Sequence, residues 1–326
     1  MVGRFLRGLL VILALLIFGA IGLVVFLTDP DIRDIELREK YGKPPSQFIT
    51  LPSGATVHYR DQGQRNGPTL VLLHGSNASL HTWEPWVSQI GDEFRMISLD
   101  LPSHGLTGAV PGDDYSQEAM AQFVNEFTTV MHIERFALAG NSMGGGIAAR
   151  FAIHYPERLT HLILVDAVGM PTKTARDPGL GSTIARLPLI QNVMLLVTPR
   201  GLFEEGLKKA IDNDALVTPQ MVDMYWELNR REGNRAATLK RFQANFDTFI
   251  QDNVAKIKTP TLLLWGETDT LTPKDMGEGY NAAIKGSKLV VFKNTGHIPM
   301  EEVPEQSARI LRAFITPAAS ALPPTN

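Results

Sequence analysis

Short apolar runs punctuate the chain from about residue 47 onwards, and segments of helical pattern lie between them. The run Leu70-Val71-Leu72-Leu73 is apolar without interruption, which is typical of a strand buried on both faces of a sheet. On this pattern we predict strands at residues 47–50, 56–61, 69–73, 95–100, 136–140, 161–165, 261–265 and 288–292.

Helices are predicted between these strands. One covers residues 116–131 with Ser116 as its N-cap, and another covers residues 143–154 and ends near Pro156. Strands that alternate with helices form mostly parallel sheets, because a parallel pair needs a crossover connection. The predicted fold class is therefore α/β, with a mostly parallel eight-stranded sheet and helices on both faces.

The alternation lapses between residues 170 and 255, where the pattern indicates helices and no clear strand. This segment follows the sixth predicted strand, so we expect a helical cap inserted into a core of residues 47–169 and 256–316. Its stretch 184–197 is strongly apolar. That stretch either packs the cap onto the core, or forms an acyl-binding wall or a membrane-facing patch. Residues 317–326 are rich in Ala and Pro, and we expect a disordered tail there.

The N-terminal segment has a different character. Residues 9–27 form 19 consecutive positions without a charge, which as a helix nearly span a hydrocarbon core of roughly 30 Å. A cleaved signal peptide has a shorter apolar core, of about 7–15 residues, and then a small-x-small site. We predict a retained anchor over residues 1–28, which contacts the bilayer through residues 5–27, and a linker over residues 29–46.

The basic residues beside the apolar run set its expected orientation. Arg4 and Arg7 precede the run, and Lys and Arg favour the cytoplasmic side of a membrane. Arg33, Arg38 and Lys40 follow it and weaken the asymmetry. We expect a single-pass protein with its N-terminus in the cytoplasm and its folded domain on the outer, periplasmic or extracytoplasmic side.

Charge and cysteine content exclude several classes of function. The formal net charge is −3 and the chain contains no cysteine. A nucleic-acid partner is not expected, because such partners usually require a basic patch. The absence of cysteine excludes a disulfide framework, a thiolate metal site and a cysteine nucleophile. The sequence leaves the oligomeric state open.

The segment Gly140-Asn141-Ser142-Met143-Gly144 matches the pattern G-x-S-x-G between a predicted strand and a predicted helix. In that setting the pattern forms a nucleophile elbow, a strained turn that lifts a serine hydroxyl above the sheet. Glycine on either side lets the backbone approach closely. Ser142 is the candidate nucleophile, and the alternative is a glycine-rich turn without activity.

A serine hydroxyl needs a base to take its proton and an acid to orient that base. His297 follows the last predicted strand, and Asp269 follows the seventh. Loops at the carboxyl ends of these strands can project both side chains over the sheet edge that carries Ser142. Alternatively, His297 is an exposed loop histidine without a catalytic role, and Asp269 only stabilises a turn. Asp275 and Glu267 are weaker candidates for the acid.

The negative charge that develops on a substrate carbonyl oxygen requires two backbone N–H donors. Met143, directly after the candidate nucleophile, is predicted to supply one. The loop at residues 74–77 is predicted to supply the other, from Ser76 or, as second choice, from Asn77.

Five segments resemble the successive signatures of the α/β-hydrolase superfamily, and they occur in the expected order between about residues 47 and 315. They are His74-Gly75, Asp100-Leu101-Pro102-Ser103-His104-Gly105, Gly140-Asn141-Ser142-Met143-Gly144-Gly145, Trp265-Gly266-Glu267-Thr268-Asp269 and Gly296-His297-Ile298-Pro299-Met300-Glu301. The chain order of serine, aspartate and histidine is also that of this superfamily. Ser103 departs from the pattern, because glycine is usual there, and we expect a small effect on the loop.

Within the superfamily the chain is similar to bacterial membrane-anchored esterases and lipases with a helical cap, including monoacylglycerol-lipase-like and phospholipase A-like members. The resemblance implies the α/β-hydrolase fold and a serine carboxylic-ester hydrolase with Ser142, His297 and Asp269 as its triad. It implies an acyl-enzyme intermediate and lipid-derived esters, such as monoacylglycerols or (lyso)phospholipids, as substrates. No cofactor and no metal are required.

Two other functions stay open. The elbow is also similar to that of the carbon–carbon bond hydrolases that cleave aromatic ring-fission products, for which a carboxylate-binding arginine is expected near the site. The second alternative is a catalytically silent, membrane-tethered binding protein, although such proteins usually lack a member of the triad. Dehalogenases and epoxide hydrolases carry aspartate in place of Ser142, so the resemblance does not extend to them.

Overall fold

The computed structural model describes residues 28–175, 195–244 and 247–316, together with positions 6–8, 10–15, 18, 19 and 22. Its strands are β1 (Ser46–Thr50), β2 (Thr56–Gly63), β3 (Thr69–Leu73), β4 (Arg95–Leu99), β5 (Phe136–Asn141), β6 (Leu159–Val165), β7 (Thr261–Gly266) and β8 (Lys288–Phe292). They form one eight-stranded sheet in the order β1-β2-β4-β3-β5-β6-β7-β8. Strand β2 pairs antiparallel with β1 and with β4, and the other neighbours pair parallel. The predicted mostly parallel sheet of eight strands is confirmed.

The core helices connect these strands. They are α2 (Glu84–Ile90), α3 (Gln117–Val130), α4 (Met143–His154), α9 (Lys274–Ala283), α10 (Pro299–Glu302) and α11 (Pro304–Ile315). Ser116 precedes α3, and its hydroxyl accepts a hydrogen bond from the Ala119 N–H at 3.2 Å. This contact satisfies one of the donors that the first turn of a helix leaves free.

Alternate residues of the central strands pack into two separate layers. On one face, Val71 and Leu73 lie in a cluster with residues of α3 and α4, such as Phe127 and Ile147. On the other face, Leu70 and Leu72 lie in a cluster that includes residues of α2 and α11. Helices therefore cover both faces, which explains why the central strands are largely apolar, as from Leu70 to Leu73 of β3.

The segment between β6 and β7 contains the helices α5 (Arg200–Ala210), α6 (Pro219–Asn229), α7 (Asn234–Gln243) and α8 (Phe249–Asn253) in its described part. The side-chain amide of Asn234, at the start of α7, donates to the backbone oxygen of Gly105 in the core at 3.0 Å. Helix α8 packs against the core helix α4, where the Arg150 guanidinium lies 4.2 Å from the centre of the Phe249 ring. Most of the apolar stretch 184–197 lies outside the described residues.

The segment expected as a linker contains a helix, α1 (Asp34–Tyr41). Leu37 of α1 is buried against Leu106 of the core and Leu228 of the insertion. Ile32 forms a β-bridge with Arg231, and the Arg231 Nε donates to Asp34 at 2.7 Å. The segment is therefore folded onto the insertion, because Leu37 packs against Leu228 and Asp34 accepts a hydrogen bond from Arg231.

The predicted membrane anchor at residues 1–28 lies largely outside the described residues. Among the residues that are described, no helix has both the length and the apolar character needed to span a bilayer. The predicted tail at residues 317–326 lies outside the described residues as well.

Candidate active site

Ser142 stands in a tight turn between β5 and α4. Its backbone has φ 53° and ψ −115°, a conformation that is strained for a residue with a side chain. The turn is held because the Ser142 N–H donates to the Val165 backbone oxygen at 2.9 Å, and the Ser142 oxygen accepts from the Val168 N–H at 3.1 Å. Neighbouring strands thus maintain the geometry of a nucleophile elbow.

Glycines beside Ser142 are required by close backbone contacts. An added Cβ at Gly140 would lie 2.2 Å from the backbone oxygen of Gly144, and one at Gly144 would lie 2.4 Å from the backbone oxygen of Leu73. No larger residue fits at either position without a shift of the main chain. The two glycines of the G-x-S-x-G pattern therefore have a steric reason in this fold.

Asp269 and His297 form a buried hydrogen-bonded pair. Asp269 follows β7, His297 follows β8, and the Asp269 Oδ2 lies 2.7 Å from the His297 Nδ1. The carboxylate also accepts hydrogen bonds from the N–H groups of Leu271 and Thr272 at 2.7 and 3.1 Å, and from the Thr272 hydroxyl at 2.6 Å. The imidazole is therefore oriented by an acid that is itself held by its own turn.

The loop of His297 is fastened to the elbow. The side-chain amide of Asn141, the residue before Ser142, donates to the His297 backbone oxygen at 2.9 Å. The His297 N–H donates to the Ala210 backbone oxygen of α5 at 2.6 Å. Because Ser142, Asp269 and His297 follow β5, β7 and β8, the carboxyl ends of these parallel strands bring all three to one edge of the sheet.

The charge state of Asp269 follows from its surroundings. Burial alone would raise its pKa, but the positive charge that His297 can carry and the hydrogen bonds from His297 and Thr272 outweigh burial, so the pKa of Asp269 lies below its usual value. The carboxyl is therefore ionised at neutral pH, and an ionised carboxylate stabilises an imidazolium.

The predicted oxyanion donors lie beside the elbow. Met143 is the first residue of α4, so its N–H has no partner within the helix. Within the described part of the chain, neither the Met143 N–H nor the Ser76 N–H donates a hydrogen bond. Gly75, next to Ser76, is in close contact with the elbow, since an added Cβ there would lie 3.2 Å from the Ser142 Cβ. Two unused N–H groups are what an oxyanion requires.

Buried polar groups hold the surrounding loops. The His74 Nε2 accepts from the Leu101 N–H at 2.9 Å, and burial lowers the pKa of His74. Asp100 accepts from the N–H groups of Leu80 and Leu106 at 2.8 and 2.7 Å. Ser103 adopts φ 70°, which explains why glycine is usual at this position of the pattern.

A sequence profile for the alpha/beta hydrolase fold matches residues 68–304, a range that includes every residue of the candidate active site. The chain belongs to the α/β-hydrolase fold family. This hydrolase is 28% identical over 285 residues to an uncharacterised protein of Mycobacterium tuberculosis, with 83% of this chain and 81% of that protein covered.

Two further relatives differ in the activity that their names state. A 2-hydroxy-6-oxononadienedioate/2-hydroxy-6-oxononatrienedioate hydrolase of Escherichia coli is 28% identical over 269 residues, which cover 77% of this chain and 89% of that enzyme. The crystal structure of a bacterial membrane phospholipase A superposes with a TM-score of 0.68 at 25% identity and covers 96% of this chain and 97% of its own. These relatives support the hydrolase class, and they disagree about the substrate.

Sequence reasoning missed Asp166, which follows β6. Its side chain is fully buried, its Oδ1 accepts from the Gly266 N–H at 2.9 Å, and its Oδ2 has no partner among the described residues. One of its oxygens lies within 4.8 Å of both the Asp269 carboxylate and the His297 imidazole. Burial and the nearby charge of Asp269 raise the pKa of Asp166 well above its usual value. The hydrolase therefore has two adjacent buried carboxyls whose pKa values are shifted in opposite directions.

Sequence reasoning also missed Arg241, which lies on α7 of the insertion. Its Nη1 donates to the Ser76 hydroxyl at 2.8 Å and lies 3.6 Å from the Met143 sulfur. Its Nη2 donates to the Asn77 side-chain oxygen at 3.2 Å. A positive charge thus stands beside both predicted oxyanion donors. The polar residues around Arg241 in the sequence are typical of an exposed helix, so no local signal distinguishes Arg241 from the other arginines of the insertion.

Proposed function

We propose that this protein hydrolyses carboxylic esters through Ser142, His297 and Asp269. The observation that carries the proposal is the strained elbow at Ser142 with the buried Asp269–His297 pair at the same edge of the sheet. A hydroxyl at an elbow, an imidazole and an ionised carboxylate are the three groups that nucleophilic acyl transfer needs. The alternative acids Asp275 and Glu267 are not needed, since Asp269 contacts the imidazole directly.

The reaction has two halves. With its Nδ1–H donated to Asp269, His297 uses Nε2 to take the proton of the Ser142 hydroxyl as the oxygen attacks the ester carbonyl carbon. The N–H groups of Met143 and Ser76 stabilise the oxyanion, and His297 then gives the proton to the departing alcohol. Water attacks the acyl-enzyme after His297 removes one of its protons, and that proton returns to Ser142 as the acid leaves.

Lipid-derived esters at a membrane are the proposed substrates. The uncharged run at residues 9–27 is long enough for a retained anchor, and the structural relative named as a membrane phospholipase A covers nearly the whole of this chain. We propose that residues 1–28 tether the enzyme with its N-terminus in the cytoplasm. The folded domain would then act on monoacylglycerols or (lyso)phospholipids on the outer side.

The first test compares the full-length protein in detergent with its Ser142→Ala variant. We expect the wild type to react with a fluorophosphonate probe and to release free fatty acids from a bacterial lipid extract, as measured by mass spectrometry. Ser142→Ala should lose both, with kcat reduced by a factor of about 10⁴ or more. The exposed Ser53 gives a matched control, because Ser53→Ala should behave as wild type.

The outcomes separate the proposals. Fatty-acid release by Ser142→Ala would contradict the triad. Probe labelling of the wild type without lipid hydrolysis would leave a serine hydrolase whose substrate is not a membrane lipid. No labelling at all would favour the silent binding protein.

A carbon–carbon bond hydrolase is the second candidate. Its support is the 28% identity to the E. coli enzyme and the presence of Arg241 beside the oxyanion donors. Turnover of a ring-fission dienone acid by the wild type and not by Ser142→Ala, together with inactivity on esters, would establish this function instead.

A further inference from the structure

Arg241 lies inside the protein, between the insertion and the core. Its side chain is 8% exposed, and its guanidinium contacts the Ser76 hydroxyl, the Asn77 amide oxygen and the Met143 sulfur. All three partners are uncharged, and they belong to the two segments that carry the predicted oxyanion donors. The positive charge is therefore directed at the place where a substrate carbonyl would bind.

This charge is unbalanced in the described part of the chain. No Asp or Glu described there forms an ion pair with Arg241, and its Nε is buried without a hydrogen-bond partner. Burial lowers the pKa of Arg241 to about 10, which still leaves the guanidinium charged at neutral pH. Outside the described residues the sequence contains one acidic side chain, Asp177. A buried charge without a counter-ion is costly, so a protein that keeps one usually pairs it in another state.

Neighbouring arginines show that pairing is available in this region. Arg235, on the same helix, forms an ion pair with Asp31 at 2.6 Å, and Arg231 forms one with Asp34 at 2.7 Å. Both pairs lie on the side of the insertion that faces the N-terminal segment. Arg230, directly before Arg231, is also buried and forms no ion pair among the described residues, but it donates to the Pro30 backbone oxygen on that same side. Arg241 is the buried arginine without a described acidic partner that faces the candidate active site.

We infer that Arg241 binds an anionic group of the substrate, a carboxylate or a phosphate that stands a few bonds from the scissile carbonyl. The inference rests on the proposed function, because it places the anion relative to the oxyanion donors of that site. Ser76 and Asn77 each use one N–H of the two Nη groups, so the unpaired Nε–H and the remaining Nη hydrogens are the donors left for two oxygens of such a group. Uncharged esters, such as monoacylglycerols, leave these donors unused and the charge unpaired, so the site favours acidic substrates over neutral ones.

Binding to the inactive Ser142→Ala protein tests this directly, because no turnover is required. The probes are 1-hexanoylglycerol 3-phosphate against 1-hexanoylglycerol, and monohexyl succinate against hexyl methyl succinate, measured by calorimetry at pH 7. We expect each acidic ester to bind roughly tenfold or more tightly than its neutral partner. The phosphate pair and the carboxylate pair together tell which anion the subsite prefers.

Second substitutions in the Ser142→Ala protein assign the preference to a residue. Arg241→Gln should reduce the ratio of the two affinities to near one, while affinity for the neutral ester stays unchanged. Arg241→Lys, which keeps the charge, should retain part of the preference. Arg235→Gln is the matched control on the same helix and should leave the ratio unchanged, since that arginine is paired with Asp31.

Two results would overturn the inference. They are equal affinity for acidic and neutral esters in the Ser142→Ala protein, and an unchanged ratio after Arg241→Gln. If Arg241→Gln fails to fold, the first comparison and Arg241→Lys still decide. Failure of the proposed function is recognised separately, by the absence of fluorophosphonate labelling in the wild type.

Discussion

Two neighbouring carboxyl groups of this site have pKa values shifted in opposite directions for different physical reasons. Asp269 is ionised because His297 and Thr272 stabilise its charge against the effect of burial. The Asp166 carboxyl accepts a hydrogen bond from the Gly266 N–H, its other oxygen has no partner among the described residues, and it faces the charge of Asp269. The repulsion between two adjacent buried carboxylates therefore raises the pKa of Asp166.

We predict that Asp166→Asn stabilises the protein above about pH 4 and leaves it nearly unchanged below. A carboxyl whose pKa is raised by folding contributes stability that is present below its unfolded pKa of about 3.9 and is lost as the pH rises towards its folded pKa. Asparagine mimics the protonated form and does not titrate. The free energy of unfolding of the variant at pH 7 should exceed that of wild type by about 1 kcal/mol or more.

Guanidinium denaturation at several pH values measures this difference. Asp92→Asn, at an exposed aspartate, is the control and should parallel wild type at every pH. Ester hydrolysis by Asp166→Asn at pH 7 should stay within about threefold of wild type, since the protonation state of Asp269 is preserved. Unfolding curves for Asp166→Asn that follow those of wild type throughout would show that Asp166 titrates normally.

At the scale of elements, the N-terminal helix α1 binds the insertion, with one buried leucine and a row of ion pairs. Lys40 and Tyr41 contact Glu227 of α6 at 2.7 and 2.8 Å, and Asp34 contacts Arg231 before α7. Arg231 lies just before α7, and α7 carries Arg241, so the N-terminal segment and the candidate active site contact neighbouring parts of the insertion. The insertion is thus held between the segment that follows the predicted anchor and the core.

Weakening this attachment is expected to loosen the insertion. We predict that Asp34→Asn lowers the stability of the contact by about 1 kcal/mol, because it removes a half-buried charge-assisted hydrogen bond to Arg231. Hydrogen exchange should become faster in α1 and α7 and stay unchanged in β5 and β6. Glu36→Gln is the matched control on the same helix, because Glu36 pairs with the exposed Arg33 and does not contact the insertion. Equal exchange rates in the two variants would contradict this role of α1.

At the scale of the whole molecule, the described N-terminal segment is attached to the insertion from Asp29 onwards. The Asp29 N–H donates to the Leu196 backbone oxygen at 2.9 Å, and every element of the core and the insertion follows it. None of the described residues of the apolar run belongs to the two core clusters that flank the sheet. Tethering and catalysis are therefore expected to be separable.

Deletion of residues 1–27 tests this separation. We predict that the shortened protein keeps fluorophosphonate labelling and hydrolysis of soluble short-chain esters within about threefold of full length, because the described contacts of the elbow and of the Asp269–His297 pair lie within the core and the insertion. It should no longer sediment with membranes, whereas the full-length protein should. Sedimentation of the shortened protein with membranes would assign membrane attachment to another surface. The orientation is tested separately, by adding protease to spheroplasts that contain the full-length protein. A folded domain that stays intact would contradict the proposed orientation.

The sequence by itself determined the elements whose signals are local. Short runs rich in apolar residues identify the strands to within two residues of their observed ends. The signal is clearest in central strands such as β3 and β7, because these are buried on both faces. The G-x-S-x-G pattern identifies the turn at Ser142, since only glycine tolerates the contacts at Gly140 and Gly144. The order of Ser142, Asp269 and His297 along alternating strands and helices then places them at one edge of the sheet.

Tertiary structure alone decided the features that join distant parts of the chain. Arg241 lies 165 positions after Ser76, and Arg231 lies 197 positions after Asp34, yet each pair is in contact. Asp166 resembles any aspartate at the end of a strand until Asp269 is packed beside it. Charge state and pairing depend on burial and on neighbours in space, and neither is contained in a local pattern of residues. For that reason the three triad candidates could be proposed from the sequence, whereas the raised pKa of Asp166 and the position of Arg241 beside the site could not.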